Sequence, residues 1–256
     1  MAYPGGKGNC FQRIINMIPP HRVYIEPYLG GGSIMANKRP AGVNIGIDIN
    51  PIVLSVTANE ISPGGNVIFN GDRSLKRSII ANNDNGSRNP FTFICMDAVE
   101  FLSRFQFSGN EVVYCDPPYL MGTRKCQRDL YENEYTDQDH VRLLGVIRSL
   151  NCHVAISGYW SELYAEMLAG WNSISFTTQT RGGSPATEHL WMNYPEPNEL
   201  HDYRYLGDNF RERERIKRKK ARWVNRLKKL DKLERRAILW AIRESGMLLQ
   251  DRHICR

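Results

Sequence analysis

No apolar run in this sequence approaches the ~18 residues that a membrane-spanning helix needs, so no part of it is expected to cross a bilayer. No two cysteines form a C-x-x-C pair; the six lie scattered at positions 10, 95, 115, 126, 152 and 255. That argues against a zinc site and against a disulfide scaffold, and it suits a reducing cytoplasm. The amino-terminal stretch is polar and glycine-rich and carries no signal-peptide pattern. Its Gly5-Gly6-Lys7-Gly8 lacks the Gly-Lys-Ser/Thr ending of a phosphate-cradling Walker loop. The later glycine triplet is not spaced as G-x-G-x-x-G, which disfavours a dinucleotide-dependent oxidoreductase. Acid is scarce at the carboxyl end. Residues 207–256 hold 17 Lys and Arg against 7 Asp and Glu, whereas residues 1–206 hold 17 against 20. A mildly acidic body with a strongly basic tail is an electrostatic footprint for a polyanion.

What is present is a series of buried strands, each ending in an acid. The chain has 256 residues and is 41% hydrophobic, enough for one large α/β domain with an appendage. Val23-Tyr24-Ile25-Glu26 reads as a strand that runs into Gly30-Gly31-Gly32, after which Ile34 opens a helix. Strand, glycine turn and helix is how doubly wound folds hold nucleotide-like ligands. Val43 to Asp48 is the next strand. Asp48 lies about 20 residues past the glycine turn, where a carboxylate accepts ribose hydroxyls; it equally suits the cap of a helix starting near Pro51. Phe91 to Asp97 repeats the pattern. Asp97 suits either the amino group of a nucleoside or the cap of the following helix. Residues 62–90 read as a polar loop or lid. The spacing predicts a βαβ series and a largely parallel sheet, closed by an edge hairpin from Trp171–Thr178 and Glu188–Tyr194.

The fourth strand, Glu111 to Cys115, ends in Asp116-Pro117-Pro118-Tyr119. The prolines fix φ and leave carbonyls without N–H groups, so the segment is a rigid set of acceptors beside a flat ring. Acceptors next to an aromatic face suit a planar ring that bears an NH2 group. Residues 120–135 follow as a loop rich in basic and aromatic residues, including Arg124, Lys125, Arg128, Tyr131 and Tyr135; this composition suits a nucleic-acid strand. A flexible polar tip around Arg181 lies in the hairpin. From Phe210 to Arg243 the chain reads as one charged amphipathic helical stretch. Its block Arg215, Lys217, Arg218, Lys219 and Lys220 suits phosphate contact.

In this order these elements resemble the Dam-like class of DNA adenine methyltransferases that act on the exocyclic amino group. Tyr3 to Gly8 is similar to the family's amino-terminal Pro-Gly-Gly-Lys motif, and Glu26 to Gly32 to its acidic, aromatic, glycine-rich cofactor loop. Asp48 and Asp97 stand where its ribose- and adenine-binding acids fall, Asp116 to Tyr119 is its catalytic motif, and Glu188 to Tyr194 is similar to its late strand motif. The resemblance implies a Rossmann-like methyltransferase fold over residues 1–206, with residues 207–256 as a basic helical extension. It implies S-adenosylmethionine as methyl donor, held by Tyr3, Lys7 and Glu26 at the methionine end, by Tyr28, Gly30 and Gly32 in the loop, and by Asp48 and Asp97. It implies catalysis by Asp116, Pro117, Pro118 and Tyr119 on a flipped base, without a metal. The sequence departs from the family in one respect. Only 67 residues separate Asp48 from Asp116, which leaves little for a recognition domain. Short or relaxed specificity is therefore expected, with residues 62–90, 120–135 and 178–187 as reduced readers. A compact body of this kind fits a phage or mobile-element enzyme. Two other readings stay open: adenine in RNA as the substrate, and a non-catalytic nucleic-acid-binding protein working through its tail.

Overall fold

The computed structural model describes residues 7–8, 10–69, 89–124, 132–179 and 185–246. Eight strands form one sheet: β1 (Val23–Glu26), β2 (Val43–Asp48), β3 (Asn66–Phe69), β4 (Phe91–Cys95), β5 (Glu111–Cys115), β6 (His153–Gly158), β7 (Asn172–Gln179) and β8 (Pro185–Met192). Their order is β3-β4-β2-β1-β5-β6-β8-β7. The first six run parallel, and β8 pairs antiparallel with both β6 and β7. This is the expected α/β architecture with an antiparallel edge hairpin. One element is additional. The stretch 62–90, read as loop, contains β3, which pairs with β4 from Asn66 opposite Thr92 to Phe69 opposite Cys95.

Helices connect the strands: α1 (Phe11–Ile15), α2 (Ser33–Asn37), α3 (Pro51–Ile61), α4 (Ala98–Arg104), α5 (Asp137–Ser149) and α6 (Glu162–Met167). Each of the last four starts on a local signal. Asn50 caps α3 by accepting from the Ile52 and Val53 amides, with Pro51 at the first helical position. Asp97 caps α4, Thr136 and Asp139 form a reciprocal capping box on α5, and Ser161 caps α6. β5 is buried along its whole length, as a central parallel strand covered on both faces must be. Val113 and Cys115 of β5 join Ile25, Ile45, Ile94 and Val154 of the neighbouring strands, Phe101 of α4 and Leu143, Leu144 and Ile147 of α5 in one apolar cluster. That cluster anchors the strand ends from which the site is built.

The chain divides into two compact units, Met1–Tyr203 and Arg204–Arg256. In the second, α7 (Phe210–Lys229) and α8 (Lys232–Glu244) replace the single helical stretch expected there. The break has a local cause. Leu230 is extended, and the Asp231 side chain accepts the Leu233 amide to start a new helix. No residue of either helix is buried. No helix among the described residues is long and apolar enough to cross a membrane.

Candidate active site

The sheet order reverses between β1 and β5: from β1 the chain builds outward through β2 to β4, then returns to β5 on the other side. Ligands bind at such switch points, outside the carboxyl ends of the strands. The cleft lies there. Its wall holds Pro27, Tyr28 and Gly30 after β1, and Asp48, Ile49 and Asn50 after β2. Asp97 and Ala98 follow β4, Asp116 and Pro118 follow β5, and Glu132, Asn133 and Tyr135 close it from the loop before α5.

Gly30 adopts φ 47°, the left-handed region where a side chain is strained, and its amide donates to Asp48 Oδ2 at 2.8 Å. The other Asp48 oxygen accepts the Asn50 amide at 2.9 Å. Asp48 thus clamps the glycine turn to the end of β2 and leaves the capping of α3 to Asn50. Burial pushes the Asp48 carboxyl up, while the amides of Asn50 and Gly30 pull the other way. Asp97 does cap its helix, through Oδ1 and the Glu100 amide at 2.8 Å, and still lines the cleft. Gly32 starts α2 at φ 59° and packs against α3, outside the cleft lining.

Glu26 is placed differently from expectation. It is buried behind the glycine turn, where Oε2 accepts Tyr24 OH at 3.1 Å and the Met35 amide at 3.0 Å. Burial pushes its carboxyl up to about 8; Tyr24 opposes this and Asp116 adds to it. Lys7, expected at the cofactor's methionine end, lies against Asp116. Its Nζ is 2.5 Å from both oxygens of Asp116 and 3.4 Å from Glu188 Oε1. Glu188 also accepts Tyr119 OH at 2.7 Å, and the Tyr119 ring meets Tyr159 edge-on at 4.7 Å. Burial works against the Lys7 charge, but Asp116 and Glu188 overcome it and hold the ammonium above the ordinary lysine value. Burial raises Asp116 to about 6, with Lys7 opposing and Glu188 reinforcing. The two partners pull apart: Asp116 and Glu188 keep Lys7 charged, whereas burial outweighs the pull of Lys7 and favours the neutral form of Asp116.

Arg124, expected on a nucleic-acid surface, is buried and forks onto Glu134, NH1 to Oε1 at 2.8 Å and NH2 to Oε2 at 2.7 Å. It therefore braces the base of its loop. Tyr135, assigned by composition to the same surface, turns into the cleft, and its hydroxyl lies 2.9 Å from that of Tyr28. Tyr3, Lys125, Arg128 and Arg181 lie outside the described residues. Of the tail residues, Arg215 pairs with Glu212 at 3.2 Å and Lys217 with Glu214 at 3.5 Å, both on exposed helix surface; Arg218, Lys219 and Lys220 are exposed on the same helix. Of the residues around the site, sequence reasoning does not single out Glu132 and Asn133, and it names Glu188 only within a strand motif, without a role. For Glu188 a signal existed, an acid at the head of an otherwise apolar strand motif. Among the described residues no cluster of His, Cys, Asp or Glu is arranged to hold a metal ion.

A family model described as D12 class N6 adenine-specific DNA methyltransferase matches residues 3–67 and 68–179. No curated protein sequence matches the chain. Similar solved structures include a conserved hypothetical protein of Streptococcus pyogenes, 13% identical over 74% of this chain and 98% of that one, at a TM-score of 0.43. A Streptococcus mutans protein in complex with SAH is 8% identical over 71% of this chain and 94% of that one, with a TM-score of 0.41. An rRNA methylase from Streptococcus thermophilus is 12% identical over 71% and 92%, with a TM-score of 0.39. Likeness this distant does not bear on substrate.

Proposed function

The chain belongs to the D12 class N6 adenine-specific DNA methyltransferase family, and on that footing we propose that it methylates the exocyclic amino group of adenine in DNA. S-adenosylmethionine is the methyl donor; when bound, it supplies a methyl group already activated on a sulfonium. The donor set of the cleft fits this molecule. Carboxylates of Asp48 and Asp97 offer acceptors for hydroxyl and amino groups, Ile49, Ala98 and Pro27 offer apolar faces, and Asp116 shares the wall. In this reading Asp48 takes the ribose hydroxyls. Asp97 takes the cofactor's adenine through the oxygen that does not cap α4. The Gly30 turn and Tyr28 form the wall. Glu26 shapes the turn from behind, and Lys7 belongs to the target side.

The observation that carries the proposal is the position of Asp116. It lines the cleft and at the same time grips a nitrogen, that of Lys7, with both carboxylate oxygens. The adenine amino group is a poor nucleophile because its lone pair is delocalised into the ring. Asp116 and the Pro117 carbonyl would accept its two N–H hydrogens, draw the nitrogen toward tetrahedral geometry and free the lone pair for attack. Acceptors fixed against developing positive charge need no reorganisation during the reaction. The amino group is unreachable in stacked DNA, so the base must leave the helix, with the Tyr119 ring replacing lost stacking. Asp116→Ala should cut transfer at least about a hundredfold while the chain still binds S-adenosylmethionine by calorimetry. Loss of cofactor binding in a folded variant would remove Asp116 from this role.

The direct test is transfer from labelled S-adenosylmethionine to duplex DNA, single-stranded DNA and RNA, with the modified bases mapped. Methylated adenine in DNA is expected, at a short motif or at many positions. Transfer confined to RNA, or to no nucleic acid at all, would overturn the proposal.

A further inference from the structure

Glu188 sits on β8, 4% exposed, with Oε1 shared between Tyr119 OH and the approach of Lys7. Lys7 is 5% exposed and its ammonium lies 5.0 Å from the centre of the Tyr119 ring. Its ammonium lies against both oxygens of Asp116, on the side where the two carboxylate oxygens converge and in the place where the target amine has to donate. An amine that donates from that same side displaces Lys7 from at least one of those oxygens. A buried ammonium stripped of its partner is strongly destabilising, so the released donors need another acceptor inside the protein. Glu188 is that acceptor, 3.4 Å away and already facing Lys7.

Resting on the function proposed above, we infer that Glu188 is a positioning residue for methyl transfer. It receives the Lys7 ammonium when the target amine takes Asp116, and it holds Tyr119 by its hydroxyl beside the incoming base. Asp116 is faced by Lys7 and Cys10 from the amino-terminal turn, by Glu26 from the end of β1, by Tyr119 from its own loop, by Tyr159 after β6, by Tyr164 from α6 and by Glu188 from β8, with Tyr114 and Cys115 behind. Burial holds Cys10 up near 12 and Glu26 up near 8, so neither is mainly charged where Asp116 titrates, about 6. Lys7 and Glu188 are left to set the ionisation of Asp116, and they act with opposite sign.

Glu188→Gln keeps the size and an oxygen for Tyr119 but removes the charge that receives Lys7. In the full-length protein, S-adenosylmethionine binding should be unchanged and kcat/KM should fall about tenfold. The acid limb of the pH profile should move to lower pH, because a charge that holds Asp116 up is gone. Lys7→Met should move the limb the other way. In the Lys7→Met background the Glu188→Gln penalty should largely vanish, since no ammonium remains to be received. The same penalty in both backgrounds, or an acid limb that Glu188→Gln leaves in place, overturns the inference. Should Glu188→Gln not fold, Glu188→Asp keeps the charge but shortens its reach; reduced transfer with an unmoved acid limb is expected, and wild-type kcat/KM overturns the idea. Failure of the underlying function would look different, because the wild-type protein itself would then methylate no adenine in DNA.

Discussion

Carboxyl groups in model peptides titrate near 4, and burial displaces the two acids that frame the reaction centre, Asp116 to about 6 and Glu26 to about 8. For Glu26 the consequence appears in stability. Its folded pKa lies above the model value of 4.5, so the fold favours the neutral acid. That contribution is complete below 4.5 and is lost as pH rises through about 8. Glu26→Gln should therefore gain up to roughly 5 kcal/mol relative to wild type as pH rises from about 4.5 to about 8, at ~1.4 kcal/mol per unit. Urea unfolding at the two extremes measures this directly. Parallel pH slopes for the two proteins would mean that folding does not raise the Glu26 carboxyl above its unfolded value. Residues were legible in the sequence when their context is local. Asp97 and Asp116 follow strands whose apolar runs end beside them. Asp48 stayed open between two readings because the deciding donor is the Gly30 amide, 18 residues earlier. The contacts of Lys7, Tyr135 and Glu188 are not legible in the sequence because their partners lie 109, 107 and 69 residues away, and no spacing rule reaches that far.

Elements follow the same logic. Strands buried on both faces announce themselves as continuous apolar runs, so β1, β2, β4, β5 and β6 could be read directly. β3 could not: it is four residues, exposed at Asn66 and Phe69, and set in a polar stretch, so it forms only because β4 offers an edge. The break between α7 and α8 was hidden because the apolar spacing continues across it, and the capping acid Asp231 reads as one more charge. The turn from β1 into α2 can be tested. A Cβ on Gly32 would come within 2.6 Å of Ile61 Cδ1 and 2.8 Å of Thr57 Cγ2, on backbone at φ 59°. Gly64, at φ 79°, meets nothing within 4 Å. Both alanine variants bear the left-handed backbone cost of roughly 1–2 kcal/mol; Gly32→Ala should lose a further 1 kcal/mol or so from crowding. Thermal unfolding of the pair separates the two costs. Equal losses would show that α3 yields freely and does not hold the turn.

At the scale of the whole molecule, charge is distributed by unit rather than by site. The family match ends at residue 179, whereas the basic block lies in the second unit, from Arg204 onward. The catalytic body surrounds its reaction centre with acids and has a slight surplus of negative charge, a poor match for a polyanion. On the proposed function, affinity for DNA would have to come largely from elsewhere, and Arg218, Lys219 and Lys220, exposed on α7, are the candidates. Each phosphate neutralised contributes ~0.9 to the slope of log K against log salt. Replacing Arg215, Lys217, Arg218, Lys219 and Lys220 together by glutamine in the full chain should weaken duplex binding and flatten that slope by several units. Rates at saturating DNA should hold, because none of the five belongs to the cleft. Fluorescence titrations from low to high salt read the slope, and single-turnover transfer reads the rate. An unchanged slope would exclude α7 from phosphate contact and return that task to the loops around the cleft. A flattened slope with intact chemistry would mean that a body with little room for a recognition domain depends on its tail for affinity and on its loops for whatever sequence it reads.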